Sequence, residues 1–266
     1  MMLSQLITLY RRRLRLLAGS PRELLVPLTT PLLFALVIAP ALNDSLGSFN
    51  PRVNYMTFVS VATVVLLVPL NALFTGISVF ADREHGGLRE LLAAPLPRWL
   101  VPLGNVLATL TVTSLQVVVL VLAAVVRGAT LHTSMSGVLW FAVSAVLLAA
   151  IVAAIAEVLA FRARSQEEYV GIIPAIAIVP WFFAGSLFPI DVLPKGLAGV
   201  AKVLPSTHAL ALMRHGLVGG SPSGLQSIWG SHSETALAAA SLAVLAGFAV
   251  LFVFASMQVF RRSALQ

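Results

Sequence analysis

Five histidines, ten carboxylates and no cysteine are all that this chain of 266 residues offers for acid–base, nucleophilic or metal chemistry. Without cysteine, disulfides, thiol catalysis and cysteine metal sites are excluded. The histidines, His85, His132, His208, His215 and His232, form no H-E-x-x-H or similar pattern, so no metal site is expected. No carboxylate pair and no Ser-His-Asp set stands out, so no catalytic residue is expected either. Glu157 is the one charged residue well inside a long apolar stretch. It reads equally as a snorkelling carboxylate near Arg162 or as a group on a solute pathway. Asn71 and Gln116, uncharged and also deep in apolar stretches, read as interhelical hydrogen-bonding groups or as further pathway residues. The densest cluster of charge is a short piece, "ADREHGGLRELLAAPLPR", residues 81–98, between two long apolar runs.

The elements that must position these residues follow from composition. The chain is 59% hydrophobic and 10% charged, against roughly 25% charged in a soluble domain. So few charges cannot make a water-facing surface, and lipid must be the solvent for most of the chain. The net charge of +7 comes from basic residues scattered at the ends of apolar blocks. That pattern suits anchoring in a bilayer and argues against a nucleic-acid surface, which needs clustered basic residues with interleaved aromatics.

A spanning helix needs about 20 mostly apolar residues. Six blocks qualify, at about 24–42, 56–80, 100–126, 136–161, 169–188 and 235–260. They are too long and too evenly apolar for barrel strands, so an all-α membrane protein with a single six-helix domain over 1–266 is expected. Arg11, Arg12, Arg13, Arg15, Arg22, Arg83, Arg89, Arg98, Arg162, Arg164, Arg261 and Arg262 fall on one side of that topology. Arg52, Arg127, Lys195, Lys202 and Arg214 fall on the other. The excess places both termini and the loop 81–98 in the cytoplasm. An alternative for the first block is a signal peptide cleaved after Ala39-Pro40-Ala41, although its leader is long and Pro27 and Pro31 interrupt its apolar run. Pro69, Pro174 and Pro180 are expected to kink their spans.

Within 81–98, Asp82 is placed to cap a short helix and Glu84 to sit in its first turn. Leu88, Leu91 and Leu92 make one apolar stripe, and Pro95 and Pro97 end the helix. Gly86 and Gly87 each cost it about 1 kcal/mol relative to alanine, so about ten residues of helix must dock on a membrane surface or a partner to persist. The plain alternative is an amphipathic elbow between two spans. The turn 162–168 reads as solvated. The loop 189–234 is apolar but cut by Pro189, Pro194 and Pro205 into pieces too short to span. Re-entrant helices fit it better than helices lying on the surface. Trp181, Phe182 and Phe183 read as interface aromatics.

Two motifs resemble those of the ABC-2 type transporter permeases, in particular drug- and nodulation-factor-type exporters. The first is D/E-R-E-x-G-[ST]-L-x-x-L-x-x-x-P, matched by Asp82, Arg83, Glu84, Gly86, Leu88, Leu91 and Pro95, with Gly87 in place of the usual Ser or Thr and Arg89 where an acid is common. The second joins F-P-x-x-x-L-P to P-x-[ST]-x-A-L-x-x-x-R, matched by Phe188, Pro189, Leu193, Pro194, Pro205, Thr207, Ala209 and Arg214. The resemblance covers about residues 10–260. It implies a cytoplasmic coupling helix between the second and third spans, and a permease that works with a second, identical or homologous permease subunit and a separate P-loop ATPase. ATP and magnesium would then be held by that partner, with no cofactor in this chain. Consistently, the chain has no G-x-x-x-x-G-K-[ST]. The expected role is the non-enzymatic membrane subunit of an ATP-driven exporter of a hydrophobic or amphipathic compound, in a bacterial-type inner membrane. The alternative is a membrane anchor that recruits a cytoplasmic protein through 81–98 without transport. An intramembrane enzyme is disfavoured by the lack of a buried polar constellation.

Overall fold

The computed structural model describes residues 2–46, 55–84, 86, 87, 91, 93, 96–131, 134–218, 223–230 and 233–263. Among them there is no strand: every regular element is helical. We label the helices α1 (Met2–Ala18), α2 (Pro21–Leu33), α3 (Ala39–Leu46), α4 (Tyr55–Glu84), α5 (Leu100–Val126), α6 (Met135–Arg162), α7 (Gln166–Phe183), α8 (Lys195–Val203), α9 (Pro205–Leu217), α10 (Leu225–Trp229) and α11 (Glu234–Ser263). A π-helical stretch, Phe34–Ile38, joins α2 to α3 just after Pro31, which supplies no backbone N–H to the helix ladder. Local chemistry sets several starts. Pro21 and Pro205 open α2 and α9, where a missing N–H is harmless. Ser134 and Ser165 cap α6 and α7 by accepting from Gly137 N and Glu168 N.

Among the described residues, five helices are long and apolar enough to cross a bilayer: Leu24–Ala41, Met56–Glu84, Leu100–Val126, Met135–Arg162 and Glu234–Arg262, with a sixth if the bent pair Lys195–Val203 and Pro205–Leu217 is one span. The fifth expected span, 169–188, is not among these five. Its helix α7 begins with Gln166, Glu167 and Glu168 and ends at Phe183, so its apolar part is short. It still crosses the middle of the bundle against α4. Tyr169 Oη donates to Leu73 O at 2.7 Å, and Trp181 Nε1 donates to Ala62 O at 2.8 Å. The helices run through Pro69, Pro174 and Pro180 without ending.

The hub is α4. Every residue from Met56 to Leu73 is buried, and α2, α3, α5, α6, α7 and α9 pack around it. Thirty residues make a helix of roughly 45 Å, longer than a hydrocarbon core of about 30 Å. Its last turn therefore projects beyond the apolar layer.

The loop before α11 divides in two. Helices α8 and α9 meet at a bend of 76°. In α8 only Ala201 is buried, so α8 lies outside the body. In α9, eleven of 13 residues are buried, with α6, α11 and α4 around it. A surface helix keeps one face wet, and α9 has none, so α9 lies within the body, and its bend from α8 makes the pair a broken span or a re-entrant loop. Glycines let it seat. A Cβ on Gly216 would overlap the backbone of Gly137 in α6, and the reverse holds. The two backbones therefore touch where only hydrogens intervene.

Candidate functional site

The charged piece that follows the second span starts earlier and docks differently than its composition implied. Asp82, Arg83 and Glu84 are the last turn of α4 and do not begin a separate helix. Gly86 then takes φ +84°, a left-handed conformation that glycine adopts without steric cost, and the chain turns there. Asp82 does not cap the following turn. Its carboxylate accepts from Arg12 Nη1 and Nη2, both at 3.2 Å, and from Arg13 Nη1 at 3.1 Å. Arg13 Nη2 also donates to Thr75 O at 3.0 Å. Leu9, Arg13 and Leu17 are the buried stripe of α1, so Arg13 is inserted among apolar neighbours with its side chain 1% exposed. Gly87 lies against this pair: a Cβ there would come within 3.1 Å of Asp82 Oδ1 and 3.3 Å of Arg12 Nη2.

Arg83 turns the other way. Its guanidinium donates to Ala160 O at 2.8 Å and Ala163 O at 2.9 Å, and stacks 4.9 Å from the Phe80 ring. The last carbonyls of a helix have no intrahelical donor, and a cation there also meets the negative end of the helix dipole. Arg83 thus ties the end of α4 to the end of α6. Arg83→Ala is expected to cost about 1.5–3 kcal/mol, the range for hydrogen bonds from a charged group, read as a lowered Tm in detergent. An unchanged Tm would remove this role.

Leu91 packs on the cluster of Leu9, Leu100, Val101 and Phe260. Leu91 thus rests on the chain's own body, against α1, the start of α5 and the end of α11, which neither a membrane-surface nor a partner-only docking foresaw. Glu84 is exposed. Leu88 and Pro95, also expected in the coupling segment, lie outside the described residues. Phe161 and Phe260 meet edge to face at 5.4 Å, and Arg98 and Arg261 line one cleft. The ends of α4, α6 and α11 and the start of α5 therefore gather at one end of the bundle, around residues 82–91.

The expected pathway residues are held apart. Asn71 Nδ2 donates to Thr113 Oγ1, joining α4 to α5. Gln116 Nε2 donates to Leu24 O at 2.6 Å, joining α5 to α2. Both act as helix-to-helix ties. Glu157 is buried in α6 with neither carboxylate oxygen hydrogen-bonded among the described residues. Asn105, Ser256, Arg13 and Tyr169 are among its polar neighbours. At the opposite end, Pro189, Thr207 and Arg214 converge on one cavity, while Phe188 is half exposed and Pro194 precedes α8. Sequence reasoning missed Arg12 and Arg13 as site residues. The spacing Leu9, Arg13, Leu17 is the signal that would have found the second.

Comparison with known proteins bears on this arrangement of spans, hub and re-entrant helix. The family profile described as ABC-2 type transporter matches residues 4–218. The chain belongs to that family. Among its relatives are proteins named as transport permease ycf38. The one from Porphyra purpurea is 25% identical over 197 residues, which is 73% of this chain and 67% of that protein. The one from Pyropia yezoensis has the same identity and coverage. A protein of Escherichia coli strain K12, named as a multidrug ABC transporter permease, YbhR, is 23% identical over 165 residues, 60% of this chain and 43% of that protein. The match covers α1, the hub and α9 alike and ends before α10 and α11. The chain is a multi-pass membrane protein and a transport permease subunit of that family.

Proposed function

We infer that this chain is the membrane half of an ATP-driven exporter, with hydrolysis carried out by a separate P-loop ATPase that binds ATP and magnesium. Residues 82–91 are the docking segment, and the side that carries them is cytoplasmic. A second permease subunit, identical or homologous, completes the pathway between the halves. The substrate class is hydrophobic or amphipathic, such as a drug, a natural product or a lipid-linked compound. The membrane is a bacterial-type inner membrane. Nothing here calls for a nucleic-acid partner or for a cofactor in this chain.

The observation that carries this reading is the set of ties around Asp82 and Arg83. A push on the segment at Gly87–Leu91 reaches α1 through Arg12 and Arg13, α6 through the Arg83 bonds, and α5 and α11 through Leu91. A loop that only joined two spans would have no use for contacts to so many helix ends. Glu84, left exposed, is the group free to meet a partner.

The test is to purify the tagged chain from its host in mild detergent and identify what comes with it. A stoichiometric P-loop ATPase is expected. In the reconstituted complex, Glu84→Ala is expected to leave insertion intact and to lower transport per ATP hydrolysed about 5- to 150-fold, the span of typical allosteric coupling energies. Normal transport in that variant would reject the docking role. A chain that purifies with a non-ATPase would favour the recruiting anchor instead.

A further inference from the structure

The end of the bundle opposite the Asp82 hub holds a cavity of about 50 Å³ between α9, α10, the start of α4 and the turn after α7. Its lining is mostly apolar, with Arg214, Thr207, Ser223 and Ser227 as its polar side chains. Arg214 is 4% exposed. Its Nη1 donates to Gly185 O at 2.8 Å, and its Nη2 to Ser186 O at 3.1 Å and Phe58 O at 3.4 Å, while the guanidinium lies 3.4 Å from the Phe58 ring centre. All three acceptors are neutral carbonyls. Among the described residues no carboxylate pairs with Arg214, and its Nε has no hydrogen-bond partner. The four residues Gly219–Pro222 contain no acid. Thr207 is 2% exposed, and its Oγ1 also lacks a partner. Ser223 Oγ accepts from Leu225 N at 3.4 Å, which leaves its own proton to donate. The nearby carboxylate of Asp191 is exposed and held by Ser227 at the rim.

A buried guanidinium without a counter-charge is costly by several kcal/mol. Water alone leaves that charge uncompensated. The volume, at 10–15 Å³ per water, holds about three to five waters, or one tetrahedral oxyanion, for which Arg214 Nε–H and the Thr207 and Ser223 hydroxyls are the unspent donors among the lining residues. Phe188 and Trp229, each next to a lining residue, are 39% and 40% exposed, which suits aromatics at the level of lipid headgroups.

We propose that this cavity is an oxyanion site that takes a phosphate group, with Arg214, Thr207 and Ser223 as its donors. The phosphate comes either from a phospholipid headgroup or from free phosphate, since the donors recognise the same oxygens in both. The site is independent of how the transporter is energised, so its test does not involve the ATPase.

The experiment follows thermal unfolding of the purified chain in dodecyl maltoside while dihexanoyl-phosphatidylglycerol, inorganic phosphate or sodium chloride of matched ionic strength is added. Ligand that binds only the folded state raises Tm saturably. The wild type is expected to respond to the lipid and not to chloride. A matching response to inorganic phosphate would assign free oxyanion as a source, and a response to lipid alone would assign the headgroup. Thr207→Val keeps the side-chain shape and the three carbonyl ties of Arg214. It is expected to shift the midpoint about tenfold, the share of one charge-assisted hydrogen bond. Ser223→Ala is the second variant and is expected to shift it in the same direction. No saturable response in the wild type, or midpoints unchanged in both variants, overturns the proposal.

Discussion

Asp82→Ala is expected to destabilise the folded chain by about 3–5 kcal/mol, the penalty for removing one partner of a buried ion pair. The pair that matters is Asp82 with Arg13, whose side chains are 21% and 1% exposed. The pair with Arg12, 35% exposed on the arginine side, adds little by itself. Without Asp82, Arg13 would stay buried among Leu9, Leu17 and the backbone of Thr75 without the carboxylate that its Nη1 meets. A second substitution separates this from a general defect. Arg13→Met keeps most of the length of the side chain and removes the charge, so the double variant Asp82→Ala with Arg13→Met is expected to recover much of the loss. The measurement is Tm in detergent for the two single variants and the double. Additive losses would show that the two side chains do not act as a pair.

Gly216→Val is expected to be as severe. Overpacking in a yielding core costs about 1–3 kcal/mol, but here the obstacle is the Gly137 backbone, which cannot rotate aside. The helix α9 would have to back away from α6. It would carry Arg214 out of reach of Gly185 O, Ser186 O and Phe58 O. The expected result is loss of the monodisperse peak in size-exclusion chromatography of the detergent extract. Gly171→Ala is the control, since a Cβ there meets nothing within 4 Å. It is expected to be neutral or to stabilise by about 0.5–1 kcal/mol, as alanine for glycine does within a helix. Equal behaviour of the two variants would refute the close-approach argument.

The spans were readable in the sequence where hydropathy alone decides, and unreadable where packing does. Blocks such as 100–126 and 136–161 are apolar throughout, and α5 and α6 match them within a residue or so. The end of α4 was missed because three charges in a row look like the start of a loop. A thirty-residue helix carries them past the lipid instead, and Arg12, Arg13 and the α6 carbonyls receive them. Arg13 itself was hidden among four neighbouring arginines, which serve an orientation argument equally well whether buried or exposed. The break between α8 and α9 was legible in Pro194 and Pro205. The near-complete burial of α9 was not, because its own residues do not reveal the faces of α4, α6 and α11 that surround Ser206, Thr207, His208 and Arg214. The shortness of α7 was obscured by counting the apolar turn Ala184–Phe188 as helix. The segment 81–98 was legible as special through its motif, but its attachment to the chain's own helix ends depends on contacts between residues far apart in sequence.

The seat of Arg214 has a consequence for how the chain is made. Phe58 and the turn at Gly185 and Ser186 precede Arg214 in the chain, and so does Gly137. A ribosome releases all of them before α9 emerges. The guanidinium therefore enters a socket whose acceptors have already been synthesised, and never needs to lie bare in hydrocarbon. α10 and α11 come later, and both pack on α9. Synthesis in the opposite order, as in a circular permutant that starts at α8, is expected to strand an arginine in the bilayer while its acceptors are still being translated.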